Sequence, residues 1–190
     1  QHAINEICIW TQVEHENIMP LLGITAKFDQ TASMMTEWMA RGNAHNYVQD
    51  VVVDPRPLVC QLVQLLDVAW GLSYLHNSDI VHGDIKGTLN VLISAAGRAL
   101  VTDFGSSYKS SSLPSMDIDP PRGGSLQWLA PKSLDTCALS QQADVWAYRM
   151  TALVRPIHGM AMRSFHTHMY CILFYAELFE DIHIMKHSRN

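Results

Sequence analysis

Near the start of the chain, Ile4, Ile7 and Cys8, then Trp10 or Thr11, recur at spacings of three and four. That periodicity predicts a short amphipathic helix over 4–13, with Glu6 on it. Residues 24–28 and 33–36 read as two strands joined by a polar turn at Asp29 and Gln30. Gly42 and Asn43 open a short helical piece that runs to about Gln49. The boundary that follows is Asp54-Pro55-Arg56-Pro57, because proline presets the backbone angle of a helix entry. From 58 to 75 the set Leu58, Val59, Leu62, Val63, Leu65, Leu66, Ala69, Leu72 and Leu75 keeps a broad helical face, and Asn77-Ser78-Asp79 ends it. Trp70 and Tyr74 are read as packing residues on that helix. The short apolar runs 91–93 and 99–102 flank a five-residue turn containing Gly97, a hairpin signal. Such a hairpin carries Asn90 and Asp103 at its two open ends, thirteen residues apart in sequence. Residues 106–122 are rich in serine and proline and are expected to be a mobile loop. An amphipathic helix is expected over 169–185.

Composition narrows the class. With 190 residues, 48% of them hydrophobic, the chain is long enough for one domain with a sizeable core. A net charge of −5 and the absence of any Lys/Arg run argue against a nucleic-acid surface. No stretch reaches the roughly 18 apolar residues of a membrane span. The first residues lack the basic and apolar regions of a signal peptide. Cys8, Cys60, Cys137 and Cys171 have no C-x-x-C spacing, so buried free thiols in an intracellular, cytoplasmic protein are expected. Residues 154–190 hold five of the ten histidines. His166 and His168 stand without a further ligand at supporting spacing, so a histidine metal site is the weakest of three functional readings.

The chemistry gathers at 80–90, IVHGDIKGTLN, where His82, Asp84, Lys86 and Asn90 fall within nine residues between a helical and a strand-like run. Asp103-Phe104-Gly105 follows. This pair of motifs resembles the H-R-D-L-x-x-x-N loop and the D-F-G triplet of the eukaryotic protein kinases. Five further stretches fit the family in order. Residues 6–24 resemble its C helix with the link into its fourth strand, and 36–42 its hinge. Residues 69–76 carry A-x-G-L-x-Y-L-H, and 124–132 resemble G-T-x-x-W-M-A-P-E. The stretch from Gln142 resembles the family's F helix, with Asp144 as its anchoring carboxylate.

The resemblance implies roles. Asp84 would accept the proton of the attacked hydroxyl, Lys86 would neutralise charge on the transferring phosphoryl, and Asn90 and Asp103 would hold Mg2+. His82 would pack beneath Phe104, and Glu6 would be the C-helix glutamate. Thr36 would be the gatekeeper, and the backbone at Glu37 and Met39 would receive the adenine of ATP. Lys86 and Ser125 favour a Ser/Thr kinase, resembling the tyrosine-kinase-like branch. The partners implied are proteins with Ser/Thr acceptors, with no nucleic acid and no membrane span; no oligomeric state is implied.

The chain departs from the family at four places. Asp84 to Asn90 is six steps where five is usual, and Gly83 stands in place of the arginine that receives a phosphorylated loop. The serines at 106, 107, 110, 111, 112 and 115 are therefore acceptors without that partner. Lys132 replaces the closing glutamate, and Arg149 replaces a helix glycine. The expected fold is α+β and protein-kinase-like: a mostly helical C-lobe with a partial N-lobe made of the C helix and the family's fourth and fifth strands. Residues 1–153 are read as a partial kinase domain truncated at both ends, without the glycine-rich loop and the third-strand lysine. Within it, 1–36 is an N-lobe remnant, 37–42 the hinge and 43–153 part of the C-lobe, with 154–190 a tail unlike the family. The alternative is a catalytically dead pseudokinase or interaction module.

Overall fold

In the computed structural model, residues 2–26, 32–49, 57–86, 89–111, 128–131, 133 and 139–154 are described, with backbone alone at 2, 48–49, 57–62 and 153–154. The first helix, α1 (His2–Trp10), buries Ile9 and Trp10, and Val13 just beyond it. This corrects the expected face, since Ile4 and Cys8 are exposed and Cys8 is a free thiol at the surface. The reason lies at Trp10, whose indole N–H donates to the Met19 carbonyl at 2.6 Å while its ring lies 5.5 Å from Phe104. That anchor rolls the helix so that its C-terminal apolar pair faces the core.

Strands β1 (Gly23–Thr25) and β2 (Ser33–Met35) pair antiparallel, with Ile24 opposite Met34. Helix α2 (Ala44–Gln49) is capped by Asn43, whose Oδ1 accepts the Asn46 N–H at 2.9 Å. Helix α3 (Pro57–Asn77) is the 21-residue spine. Its inner face is Val68, Leu72 and Leu75, together with the buried polar residues Gln64 and Asp67. Val63 is 42% exposed, so it is not the core residue that periodicity predicts, and Trp70, read as a packing residue, is 45% exposed. Gly71 brings α3 close to the chain, since a Cβ there would lie 2.9 Å from the Asn17 carbonyl oxygen.

The predicted hairpin forms. Strand β4 (Val91–Ile93) pairs antiparallel with β5 (Ala99–Val101), Leu92 opposite Leu100, around a turn with Gly97 at φ 84°. The link after α1 runs beside β5 as a third strand in all but name: Val101 N–H donates to Asn17 O and Met19 N–H to Val101 O, both at 2.9 Å. Between them these contacts tie α1, the hairpin and α3 into one core.

A strand pair appears where a mobile loop is expected. Strand β3 (Ile80–Val81), preceding the polar loop, pairs antiparallel with β6 (Tyr108–Lys109). Ser107 is buried, and its hydroxyl donates to the His82 carbonyl at 2.9 Å, which removes it from the accessible serines. Helix α4 (Gln141–Val154) starts at Ser140, whose Oγ accepts the Ala143 N–H at 3.1 Å. Arg149 is half-buried, and its Nε is buried without a hydrogen-bond partner among the described residues. Helices with small antiparallel sheets make the α+β class expected. Among the described residues no helix is long and apolar enough to cross a membrane. The turn at Asp29 and Gln30, most of the serine-rich loop, Lys132, Cys137, Cys171, His166 and His168 lie outside the described residues, as does the side chain of Cys60.

Candidate active site

The loop after β3 is held from below by one carboxylate. Asp144, 1% exposed at the start of α4, accepts the backbone N–H groups of His82 and Gly83, each at 2.8 Å. His76 Nε2 lies 2.9 Å from the same carboxylate. Gly83 has φ 80°, and a Cβ there would sit 2.8 Å from both the Ser106 carbonyl oxygen and Leu139 Cδ1. His82 is fully buried 5.3 Å from the Phe104 ring, as expected. Its Nε2 donates to the Thr102 carbonyl at 3.1 Å, and its Nδ1 accepts the Asp84 N–H at 3.3 Å. Burial pushes its pKa below the ordinary histidine range and outweighs the opposing pull of Asp144. The ring is therefore a neutral spacer.

With the loop so anchored, Asp84 faces two donors. Lys86 Nζ lies 2.5 Å from Asp84 Oδ2, and Asn90 Nδ2 donates to the same oxygen at 3.0 Å and to the Asp84 carbonyl at 2.8 Å. Across the stretch that carries the extra residue, the Asn90 N–H reaches the Lys86 carbonyl at 3.0 Å. With the Asn90 amide nitrogen committed, Asn90 Oδ1 is the side-chain atom that could hold a metal. The hairpin register sets Asn90 opposite Thr102, whose N–H donates to the Asn90 carbonyl at 3.1 Å. Asp103, the next residue, is exposed and holds φ 68°. On the far side, Glu6 of α1 reaches the same triplet: a Cβ at Gly105 would lie 3.4 Å from Asp103 Oδ1 and 3.7 Å from Glu6 Oε2. Burial, and then the Asp103 charge, raise the Glu6 pKa above the usual carboxylate range.

Thr36 is half-buried, Glu37 exposed and Met39 buried on the extended chain after β2. Gly42 closes that chain, its N–H donating to Met39 O at 2.9 Å and its carbonyl accepting the Ile93 N–H at 2.9 Å. A cavity of about 800 Å³ behind this segment is lined by Glu37, Met39, Val13, Glu16, Ile18 and Leu100 among others, and by none of the described residues of the 82–90 loop. A cavity of about 40 Å³ adjoins Asp84, between Gly83, Trp128 and Asp144.

Residues 1–154 match the sequence profile of the family described as protein tyrosine and serine/threonine kinase. The chain belongs to the protein kinase family. Among its relatives, mitogen-activated protein kinase kinase kinase 3 of Arabidopsis thaliana is 28% identical over 148 residues, covering 78% of this chain and 22% of the relative. Calmodulin-binding receptor-like cytoplasmic kinase 1 of the same plant is 32% identical, covering 76% of this chain and 31% of the relative. MAP kinase kinase kinase mkh1 of Schizosaccharomyces pombe is 32% identical, covering 75% and 12%. The kinase chain thus spans less than a third of the length of each of these relatives.

Within the kinase chain, Asp84, Lys86 and Asn90 meet directly, and the hairpin places Asp103 one residue beyond Thr102, which bonds Asn90, whereas Thr36, Glu37 and Met39 stand on a separate segment. Three polar residues near the site escape periodicity. Ser107 braces the loop from β6, and Asp67 of α3 grips Arg98 at the hairpin turn. The available signal is a lone acid inside the apolar run of α3 and a lone base directly after the turn glycine.

Proposed function

We propose that this chain carries the catalytic part of a protein serine/threonine kinase, which passes the terminal phosphoryl group of ATP to a protein hydroxyl. The observation that carries this reading is the Asp84 carboxylate, held at once by Lys86 Nζ and Asn90 Nδ2, with Asn90 and Asp103 at the adjacent open ends of one hairpin. Asp84 orients the incoming hydroxyl and takes its proton. Lys86, already beside Asp84, offers its ammonium to the developing phosphoryl charge. Asn90 Oδ1 and the exposed Asp103 carboxylate are hard oxygen donors, the kind that magnesium prefers, so the residues present fit that ion. Magnesium, when bound, supplies charge neutralisation across the phosphates. The extended backbone at Glu37 and Met39, after the half-buried Thr36, receives the adenine. The Ser/Thr assignment rests on Lys86, two residues after Asp84, and on relatives named as mitogen-activated protein kinase kinase kinases.

Two substitutions test this in the protein that carries the chain. Asp103→Asn is expected to abolish magnesium-dependent nucleotide binding with an unchanged circular dichroism spectrum. Asp84→Asn is expected to lower turnover about 100-fold or more, with nucleotide affinity kept. Unchanged binding in the first variant removes the metal assignment. Magnesium-dependent binding in wild type without any phosphoryl transfer favours the pseudokinase instead.

A further inference from the structure

Asp67 lies on α3, touches none of the residues assigned a chemical step, and is 1% exposed. A carboxylate buried among apolar neighbours is costly unless its charge is met. Here Arg98 Nε lies 2.9 and 3.0 Å from its two oxygens, Arg98 Nη2 2.7 Å from Oδ1, and the Ala99 N–H donates to Oδ2 at 2.9 Å. Those bonds all go to the turn end of β5. The Ala99 carbonyl accepts from Asn17 Nδ2 at 3.3 Å, so the first residue of β5 is gripped from α3 on one side and from the link after α1 on the other. Arg98 extends the grip, with Nη2 3.9 Å from Glu16 Oε2 on that same link. The Asp67 carboxylate holds the guanidinium pKa above its ordinary value, as a bidentate partner should.

Val101 against the Gly71 approach is an apolar contact between α3 and β5, and apolar contacts are not directional. They resist separation more than they resist sliding. A slip of one residue along a strand moves it by about 3.3 Å, and magnesium demands near-ideal octahedral geometry. Something directional has to fix where β5 stops along α3, because Asp103 lies two residues beyond its end and Asn90 immediately precedes its partner strand.

We infer that Asp67, acting through Arg98 and Ala99, is a positioning residue for the metal end of this site, setting the register of the hairpin on α3 and of the link that carries α1. The inference rests on the reading of Asn90 and Asp103 as metal ligands. Asp67 touches neither nucleotide nor substrate, and its effect passes along β5.

The test uses the protein that carries this chain, with two variants. Asp67→Asn keeps the side-chain size but turns one acceptor toward N–H groups as a donor; Arg98→Lys keeps the charge and loses the fork. Nucleotide affinity is measured with magnesium and with EDTA, well below the melting temperature of each variant, alongside hydrogen exchange of the amides in 99–105 and in α4. Expected for Asp67→Asn is a loss of tenfold or more in the magnesium-dependent gain in affinity, a higher magnesium requirement, unchanged metal-free affinity, and faster exchange confined to 99–105. Arg98→Lys should fall between it and wild type, and carries the test alone if Asp67→Asn does not fold. An unaltered magnesium requirement overturns the inference, whatever the exchange does. Equal losses with and without magnesium overturn it too, because they mark general loosening. If wild type shows no magnesium-dependent binding, the metal reading itself fails, and unchanged exchange at 99–105 then disproves the anchoring as well.

Discussion

At Gly83 the backbone, rather than side-chain chemistry, decides which residue can stand before Asp84. Its φ of 80° costs an L-residue about 1–2 kcal/mol, and a Cβ would meet the Ser106 carbonyl oxygen and Leu139 Cδ1 at 2.8 Å. Gly83→Arg, the change that would restore the usual family residue, is therefore expected to destabilise by about 2 kcal/mol or more once the backbone contact is added to the strain. A thermal melt of the variant that matches wild type would contradict this. His82 gives a prediction with a sign. Burial lowers its pKa from 6.5 in the folded chain, so the unfolded state binds more protons in that region. Its contribution is present above the unfolded value and is lost as pH falls below it. The acid limb of stability below pH 6.5 should be shallower in His82→Tyr, which has no group titrating there; parallel limbs in urea melts would show that another histidine sets the slope. Both residues sit in a motif legible in the sequence, yet only the neighbouring Asp144 and Ser106 explain why they behave as they do.

Elements were legible in proportion to their length and to how many faces they bury. The hairpin around Gly97 follows from two short apolar runs and a turn glycine, and α3 from eighteen residues of helical periodicity. The two-residue strands β3 and β6 have no period to detect, and their pairing depends on a contact across about 28 residues of sequence. Helix α1 carries apolar residues on two sides, so spacing alone does not choose between Ile4 with Cys8 and Ile9 with Trp10; the Met19 carbonyl does, by taking the indole N–H. The same kind of tertiary contact governs Gly71. Alanine in a helix interior gains about 0.5–1 kcal/mol over glycine, but a Cβ here would lie 2.9 Å from the Asn17 carbonyl and 3.3 Å from Val101 Cγ2. Overpacking against backbone typically costs about 1–3 kcal/mol, so Gly71→Ala should be net destabilising by about 1 kcal/mol despite better helix propensity. A chemical denaturation midpoint at or above that of wild type would mean that α3 can move away from the link freely.

On the scale of the whole molecule, one carboxylate links three parts of the fold. Asp144 belongs to α4, its donors at His82 and Gly83 belong to the loop that carries Asp84, and His76 belongs to the last turn of α3. Nearby bonds repeat the connection, with Gln141 Nε2 donating to the His76 carbonyl at 3.1 Å and the Tyr148 hydroxyl to the Leu65 carbonyl at 3.2 Å. Asp144→Ala leaves the buried His82 N–H, the partly buried Gly83 N–H and a histidine without their acceptor. Each orphaned group costs about 1–3 kcal/mol, and removing one member of a buried charged network typically costs about 3–5 kcal/mol in total. Against a usual domain stability of about 5–15 kcal/mol, that is about a fifth or more of what holds the fold. Asp144→Asn keeps one carbonyl oxygen and should lose roughly half as much. A second reading comes from Tyr108, whose hydroxyl bonds the Leu139 carbonyl and whose pKa is raised by burial first and by the Asp144 charge second. Removing that charge while burial persists should lower the phenol's titration in Asp144→Asn without returning it fully to 10.0. Urea unfolding of both variants, with tyrosine absorbance followed through the alkaline range, measures the two effects separately. An Asp144→Ala protein within about 1 kcal/mol of wild type would mean that the loop is held by its packing against Phe104 rather than by α4.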